Sequence, residues 1–233
     1  MAVACPITFR TSGIEILDPF LDHDAVTALC DLCEPLLDRS DRRRPGVRRV
    51  LQKEPRILDV LRASPVWDLI REVGGPGGRI VRAILFDKSP ESNWLVPWHQ
   101  DASIAVAERL DVPGFGPWAV KDGEHHCQPP ADVLASIFTI RVHLDPCAAD
   151  SGPLRVIVGS HLQGLLDDDA MAGCVRDGES IEAVSGRGAI VLTTPLAVHS
   201  SPKSVNPAAR RRVLHLDCTP IQLPGGLRFA EAP

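Results

Sequence analysis

The sequence predicts a mainly β fold, an antiparallel sheet or barrel backed by N-terminal helices. Three observations carry that reading. Eighteen Gly and 21 Pro make 39 of the 233 residues, above average usage, which favours many turns and short strands over a helical bundle. Helical periodicity is confined to the first third of the chain. From residue 78 onward, short runs rich in β-branched residues follow at close intervals with turn residues between them.

In order along the chain, residues 13–17 (GIEIL) alternate as a short strand does. Asp22 can cap a helix running through 25–37. Arg42, Arg43, Arg44, Arg48 and Arg49 form a basic run that Pro45 and Gly46 interrupt, so it reads as a solvated loop in preference to its other reading, a patch that attracts a carboxylate or phosphate on a substrate. Pro55 and Pro65 each suit a helix first turn. The two helices would cover 57–63 and 66–73, the second stopped by Gly74, Gly75 and Pro76. The strand-like runs are 79–87, 95–106, 136–145, 153–158, 180–184, 188–194 and 211–218. Residues 107–133 look irregular. They carry Phe115, Trp118, Lys121, His125 and His126, and a long irregular insert is a candidate lid or substrate loop. No repeat divides the chain, so a single domain over 1–233 is expected, with a helical layer at 1–77 and a β core at 78–219.

The net charge of −5 argues against a general nucleic-acid or membrane-surface protein, which needs a basic excess. No stretch of eighteen apolar residues exists to span a membrane. The first residues lack a basic then apolar leader, and an odd count of seven Cys fits a reducing compartment, so a cytoplasmic location is expected. Cys30 and Cys33 lie within the helical pattern and read as buried helix residues, not a redox or zinc pair.

The chemistry centres on Trp98-His99-Gln100-Asp101. In a strand, residues two apart share a face, so His99 and Asp101 would point the same way. An imidazole and a carboxylate so placed can hold adjacent corners of a metal polyhedron. Two His and one carboxylate suit Fe(II) and leave positions open. The third ligand must come from His23, His125, His126, His143, His161, His199 or His215. His199 is preferred because Arg210, Arg211 and Arg212 follow it and open the next strand. A dicarboxylic cofactor on the metal needs a cation at its far end, and Arg is suited to a bidentate contact.

Taken together, WHQD at 98–101, SGPLRVIVGSH at 151–161, and His199 with its downstream Arg and RVLHL strand resemble the phytanoyl-CoA dioxygenase family of Fe(II)/2-oxoglutarate oxygenases. The resemblance covers roughly residues 78–219. It implies a double-stranded β-helix, a distorted jelly roll backed by helices. It implies metal ligands His99, Asp101 and His199, with Fe(II) as metal, 2-oxoglutarate as cosubstrate and O2 as oxidant. The reaction implied is hydroxylation of an aliphatic C–H of a small molecule, with release of succinate and CO2. Halogenating relatives lack the carboxylate ligand, so Asp101 favours hydroxylation. Ser201 resembles the family's helper for the distal carboxylate. His161 resembles a structural histidine.

The family spacing points to Arg210 for that carboxylate, whereas alignment of the last strand points to Arg211. Periodicity favours Arg211. Arg211, Val213, His215 and Asp217 share the polar face, and Leu214, Leu216 and Cys218 share the apolar one with Arg212. The same alternation in 136–145 turns Thr139 and Arg141 toward the cavity. Lys88, Asn93 and Thr139 are further candidate cofactor contacts. Trp98, Gln100, Trp118 and Arg141 are the candidate substrate contacts. Two rivals remain open at this level: a zinc-dependent hydrolase, and a non-catalytic jelly-roll binding protein. The oligomeric state is not read from the sequence.

Overall fold

The computed structural model describes residues 7–37 and 46–231; Arg42, Arg43 and Arg44 of the basic run lie outside them. Numbered in chain order, the N-terminal part holds α1 (Ile7–Ser12), β1 (Ile14–Leu17), α2 (His23–Cys33), β2 (Gly46–Arg48), α3 (Val50–Lys53), α4 (Arg56–Ala63) and α5 (Pro65–Gly74). The side chain of Asp22 accepts the Ala25 N–H at 2.8 Å and caps α2. The helix ends at Cys33, short of the expected residue 37, because Pro35 has no N–H to continue the ladder. Pro65 opens α5, and Gly75, at φ 70°, ends it.

The β region follows with β3 (Arg79–Lys88), β4 (Val96–His99), β5 (Ile104–Val106), β6 (Trp118–Lys121), β7 (Glu124–Cys127), α6 (Ala131–Ala135), β8 (Phe138–His143), β9 (Arg155–Ile157), α7 (Asp168–Asp177), β10 (Ser180–Glu182), β11 (Ile190–Thr193), β12 (His199–Ser201) and β13 (Arg211–Thr219). Six strands form a major sheet in the order β1-β11-β8-β13-β3-β2, and four form a minor sheet, β10-β9-β12-β4. Neighbours pair antiparallel throughout. The two sheets face one another as a double-stranded β-helix, with the N-terminal helices laid on the outer face of the major sheet.

Side-chain alternation explains that layering. Leu85, Ile140, Leu214 and Leu216 are fully buried on the outer face and pack with Leu29, Ile57, Leu61, Leu69 and Ile70 of the helices. Residues of opposite parity, among them Arg82, Arg141 and His215, look between the sheets. There, Ile14, Leu154, Val156, Val191 and Ala197 form a smaller apolar cluster.

Two expectations need correction. The run 95–106 is two strands, broken at residues 100–103. The stretch 107–133 is not irregular throughout: β6 and β7 form a hairpin that pairs with β5 in a three-stranded sheet, and α6 follows. The hairpin was hidden because its turn, Asp122-Gly123, is flanked by polar residues, so the alternation that marks a strand is weak there. The basic run also departs from a loop, since Arg48 lies in β2, paired with β3.

Candidate metal and cosubstrate site

His99 ends β4 and His199 opens β12, and the two are register partners across the minor sheet. Their ring centroids lie 4.2 Å apart. Asp101 lies beyond the end of β4, so strict strand alternation does not place it. Its N–H donates to Pro195 O at 2.9 Å, which turns the chain and brings its carboxylate back to the two rings. The carboxylate stands 3.6 Å from His99 Nε2 and 3.6 Å from His199 Nε2. One ligand atom from each of the three residues lies within 4.8 Å of the others.

The tautomers are set from behind. His99 Nδ1 lies 2.9 Å from Pro97 O and 3.1 Å from His199 O, and His199 Nδ1 lies 2.9 Å from Ala197 O. Carbonyls only accept, so each Nδ1 carries the proton and each Nε2 presents a lone pair toward Asp101. Burial pulls the pKa of His199 down to about 4, although Asp101 opposes it, so His199 is neutral at physiological pH. Burial works against the charge of Asp101, but His99, His199 and Arg82 outweigh it and hold the carboxyl well below its usual range. Burial works against a charge on His99, but Asp101 outweighs it and raises its pKa, so a metal would displace that proton. Two imidazoles and a carboxylate make the donor set of a divalent transition metal.

Ser201 lines the same cavity, and a second polar group is built around it. Arg211 opens β13 opposite Lys88 of β3. Arg211 Nη2 donates to Ser201 Oγ at 3.2 Å, and Lys88 Nζ donates to the same oxygen at 2.9 Å and to Pro202 O at 2.6 Å. Ser201 in turn donates to Gly152 O at 3.0 Å. Gly152 has φ 68°, and a Cβ there would stand 2.5 Å from Pro202 O, so only glycine lets these segments meet. Arg211 and Lys88 are both buried, and Arg211 Nε has no hydrogen-bond partner. Two buried cations without a carboxylate partner among the described residues form a seat for an anionic group. Burial, and then Arg211, push Lys88 down to about 8.

The remaining candidates separate. Arg210 is drawn outward into ion pairs with Asp87 at 2.9 Å and Glu34 at 3.1 Å. Arg141 lines the cavity between the metal cluster and the major sheet. Thr139 donates to Asp217 at 2.9 Å, behind the cavity wall. Asn93 bonds reciprocally with the backbone of Ser204 and braces a loop. Gln100 is buried and brackets Gly164, Leu166 and Leu196. Trp98 is half-buried outside the cavity lining, and Trp118 packs on the apolar cluster beneath the hairpin. Gln100, Trp98 and Trp118 are therefore not brought to the site. Their types alone, amide and indole beside a motif, could not say which way they point.

Among the other cavity residues, His215 was expected on the inward face of the last strand, Lys121 and His126 in a candidate substrate loop and Arg48 in the basic run, whereas Arg82 was not named. Arg82 had a signal: a charge inside the otherwise apolar run of β3. It pairs with Asp217 at 2.6 Å. His126, expected in an irregular loop, is buried 3.3 Å from Glu124. The cavity enclosed by these groups measures about 180 Å³.

A family model described as phytanoyl-CoA dioxygenase (PhyH) matches residues 9–213. The chain belongs to that family. As a member of the phytanoyl-CoA dioxygenase family it is a non-haem oxygenase dependent on iron and 2-oxoglutarate, and the His-Asp-His cluster fits the metal. No curated protein matches the chain. Among solved structures, it is similar to SnoK, a non-haem alpha-ketoglutarate-dependent carbocyclase from nogalamycin biosynthesis, at 14% identity and TM-score 0.71 over 94% of this chain and 84% of that one. It is similar to AviO1 from Streptomyces viridochromogenes Tue57 at 23% identity and TM-score 0.68, over 100% of this chain and 98% of that one. EctD from S. alaskensis, solved with 2-oxoglutarate and 5-hydroxyectoine, is 18% identical with TM-score 0.68, over 91% of this chain and 73% of that one. At these identities the likeness speaks to the fold. Among the described residues, no helix is long and apolar enough to cross a membrane.

Proposed function

We propose that the protein hydroxylates an aliphatic C–H of a small metabolite while 2-oxoglutarate is converted to succinate and CO2. The observation that carries the reading is that the His99–Asp101–His199 cluster lines the same cavity as Ser201, whose hydroxyl binds the buried Arg211 and Lys88. When bound, iron with 2-oxoglutarate supplies the oxidation of an unactivated C–H bond by O2. His99 and His199 hold the metal through Nε2, because their Nδ1 protons are committed to backbone carbonyls. Asp101 stays ionised and offsets the metal's charge. Arg211 and Lys88 take the far carboxylate of 2-oxoglutarate, and Ser201 fixes both cations in place. Ile84, Phe86, Val96 and Leu154 form apolar wall around the cluster and limit water there. The zinc hydrolase reading leaves Arg211, Lys88 and Ser201 without a role. The fold neighbour that is a carbocyclase keeps ring closure as an alternative outcome of the same C–H chemistry.

Anaerobic titration tests the reading. Fe(II) and 2-oxoglutarate together should give a weak visible absorption band that neither gives alone. His99→Ala, Asp101→Ala and His199→Ala should each abolish the band and the turnover of 2-oxoglutarate to succinate, with far-UV circular dichroism unchanged. Tight zinc binding, no band and a hydrolytic activity would overturn the oxygenase mechanism in favour of the hydrolase.

A further inference from the structure

The cavity has a second cationic end. Along β13 the inward residues descend from Arg211, beside Lys88, through Val213 to His215, whose register partner is Arg141, and to Asp217, whose partner is Arg82. Arg211 and His215, the register partner of Arg141, are four residues apart, which at strand rise is about 13 Å. A five-carbon dicarboxylate seated on Arg211 and Lys88 spans about half of that. The groups at the other end are therefore left to something else.

Their charges do not cancel. Arg48, Arg82, Lys121 and Arg141 line the cavity, and Asp101 is the one carboxylate among the lining residues. Arg82 is matched by Asp217 behind the wall, at 2.6 Å. Arg48 is 3.1 Å from Asp122, which is half exposed at the tip of the hairpin. Among the described residues, Lys121 has a hydrogen bond only with the Ser103 hydroxyl, at 3.4 Å. Arg141 has no carboxylate within ion-pair distance among the described residues; Asp101 and Asp217 act on it only from further off. Its Nε is buried with no hydrogen-bond partner. Burying a guanidinium without a partner is costly, and an anion entering from the cavity would relieve that cost.

We propose that the substrate of this oxygenase carries an anionic group, a carboxylate or a phosphate or sulfate ester, seated on Arg141 with Lys121 and Arg48 beside it. The substrate class rests on the oxygenase reading above; the anion seat does not. The C–H to be oxidised then lies between that anchor and the metal cluster, and the charge selects acidic metabolites over neutral ones of the same shape. Lys121 and Arg48 come from the hairpin and from β2, and both line the cavity with Arg141.

Sulfate is the first probe, with acetate and methyl phosphate as arms that separate carboxylate from phosphate recognition. Each is titrated by calorimetry into the protein alone and into protein loaded with Fe(II) and 2-oxoglutarate under anaerobic conditions. In the loaded protein the Arg211 seat is filled, so saturable anion binding reports the second seat. Arg141→Gln should weaken it roughly tenfold or more, and Lys121→Gln, at an exposed position where folding is not at risk, about threefold, with 2-oxoglutarate affinity within about twofold of wild type in both. Absence of saturable binding of all three anions to the loaded wild type would overturn the proposal. So would anion affinity unchanged in both variants, or a loss of 2-oxoglutarate affinity in Arg141→Gln that parallels the anion loss, since Arg141 would then serve the cosubstrate. Failure of the oxygenase reading looks different: the wild type would give no band with Fe(II) and 2-oxoglutarate, while the protein alone would still bind anion in a manner sensitive to Arg141→Gln.

Discussion

Arg210, Arg211 and Arg212 carry the same side chain to three different places. Arg210 reaches Asp87 and Glu34, Arg212 reaches Asp145 at 2.7 Å and Glu34 at 2.9 Å, and Arg211 alone turns inward to Ser201. Alternation along β13 decides this, since neighbours face opposite sides of the sheet. Replacing Arg211 by Ala should weaken 2-oxoglutarate binding by about 2–3 kcal/mol, roughly 30- to 150-fold. Arg210→Ala and Arg212→Ala should leave that affinity nearly unchanged and lower stability instead. A large loss at Arg212 would mean that the strand face is inverted. Lys88 adds a pH dependence. Burial and then Arg211 bring it to about 8, so it loses its proton as the pH rises through that value. A carboxylate binds the protonated form, so 2-oxoglutarate affinity should fall above about pH 8 in wild type. Lys88→Met should bind more weakly at pH 7 and lack that fall. Calorimetric titrations between pH 6.5 and 9 distinguish the two.

Single elements explain what the residues alone do not. The β6–β7 hairpin is fastened to the segment after β2: Arg49 donates to Gly123 O at 2.9 Å and lies 3.4 Å from Glu124. Glu124 is buried beside His126, and although burial works against its charge, His126 and then Arg49 keep its pKa low. Arg49→Ala would leave a buried carboxylate with His126 as its near partner, and the hairpin would be held by fewer contacts. Amide hydrogen exchange over residues 118–127 should speed up by about tenfold or more in that variant while β8 and β13 keep their protection. Equal protection in both proteins would show that the pairing with β5 alone holds the hairpin.

At the scale of the molecule, the helices and the site share one sheet but opposite faces. Leu61 of α4 is fully buried against the outer face. Leu61→Ala should cost about 2–5 kcal/mol of stability, read as a lower urea midpoint. The folded fraction should bind 2-oxoglutarate as wild type does, because the inward residues of β13 do not touch that core. A parallel loss of affinity would show that helix packing sets the spacing of Arg211 and Lys88.

How far local pattern reached can be read from particular residues. The strand periods of 136–145 and 211–218, the cap at Asp22 and the stop at Gly75 are local, and each appears where its residues place it. The parity of β13 is local too, and it alone separated Arg211 from its two neighbours. The sequence also carried the family, through three short motifs in order. What remained depends on contacts between distant segments. Asp101 lies past the end of its strand and is aimed by a hydrogen bond to Pro195, 94 positions away in the chain. Gln100 and Trp118 carry side chains suited to a substrate site, yet backbone groups and an apolar cluster claim them. The hairpin became visible only when β5 supplied its partner strand, and with it came Lys121 and His126, which line the cavity. Periodicity reports which face of its own element a residue occupies. Which other face it meets is set by how sheets and hairpins stack, and no local pattern encodes that.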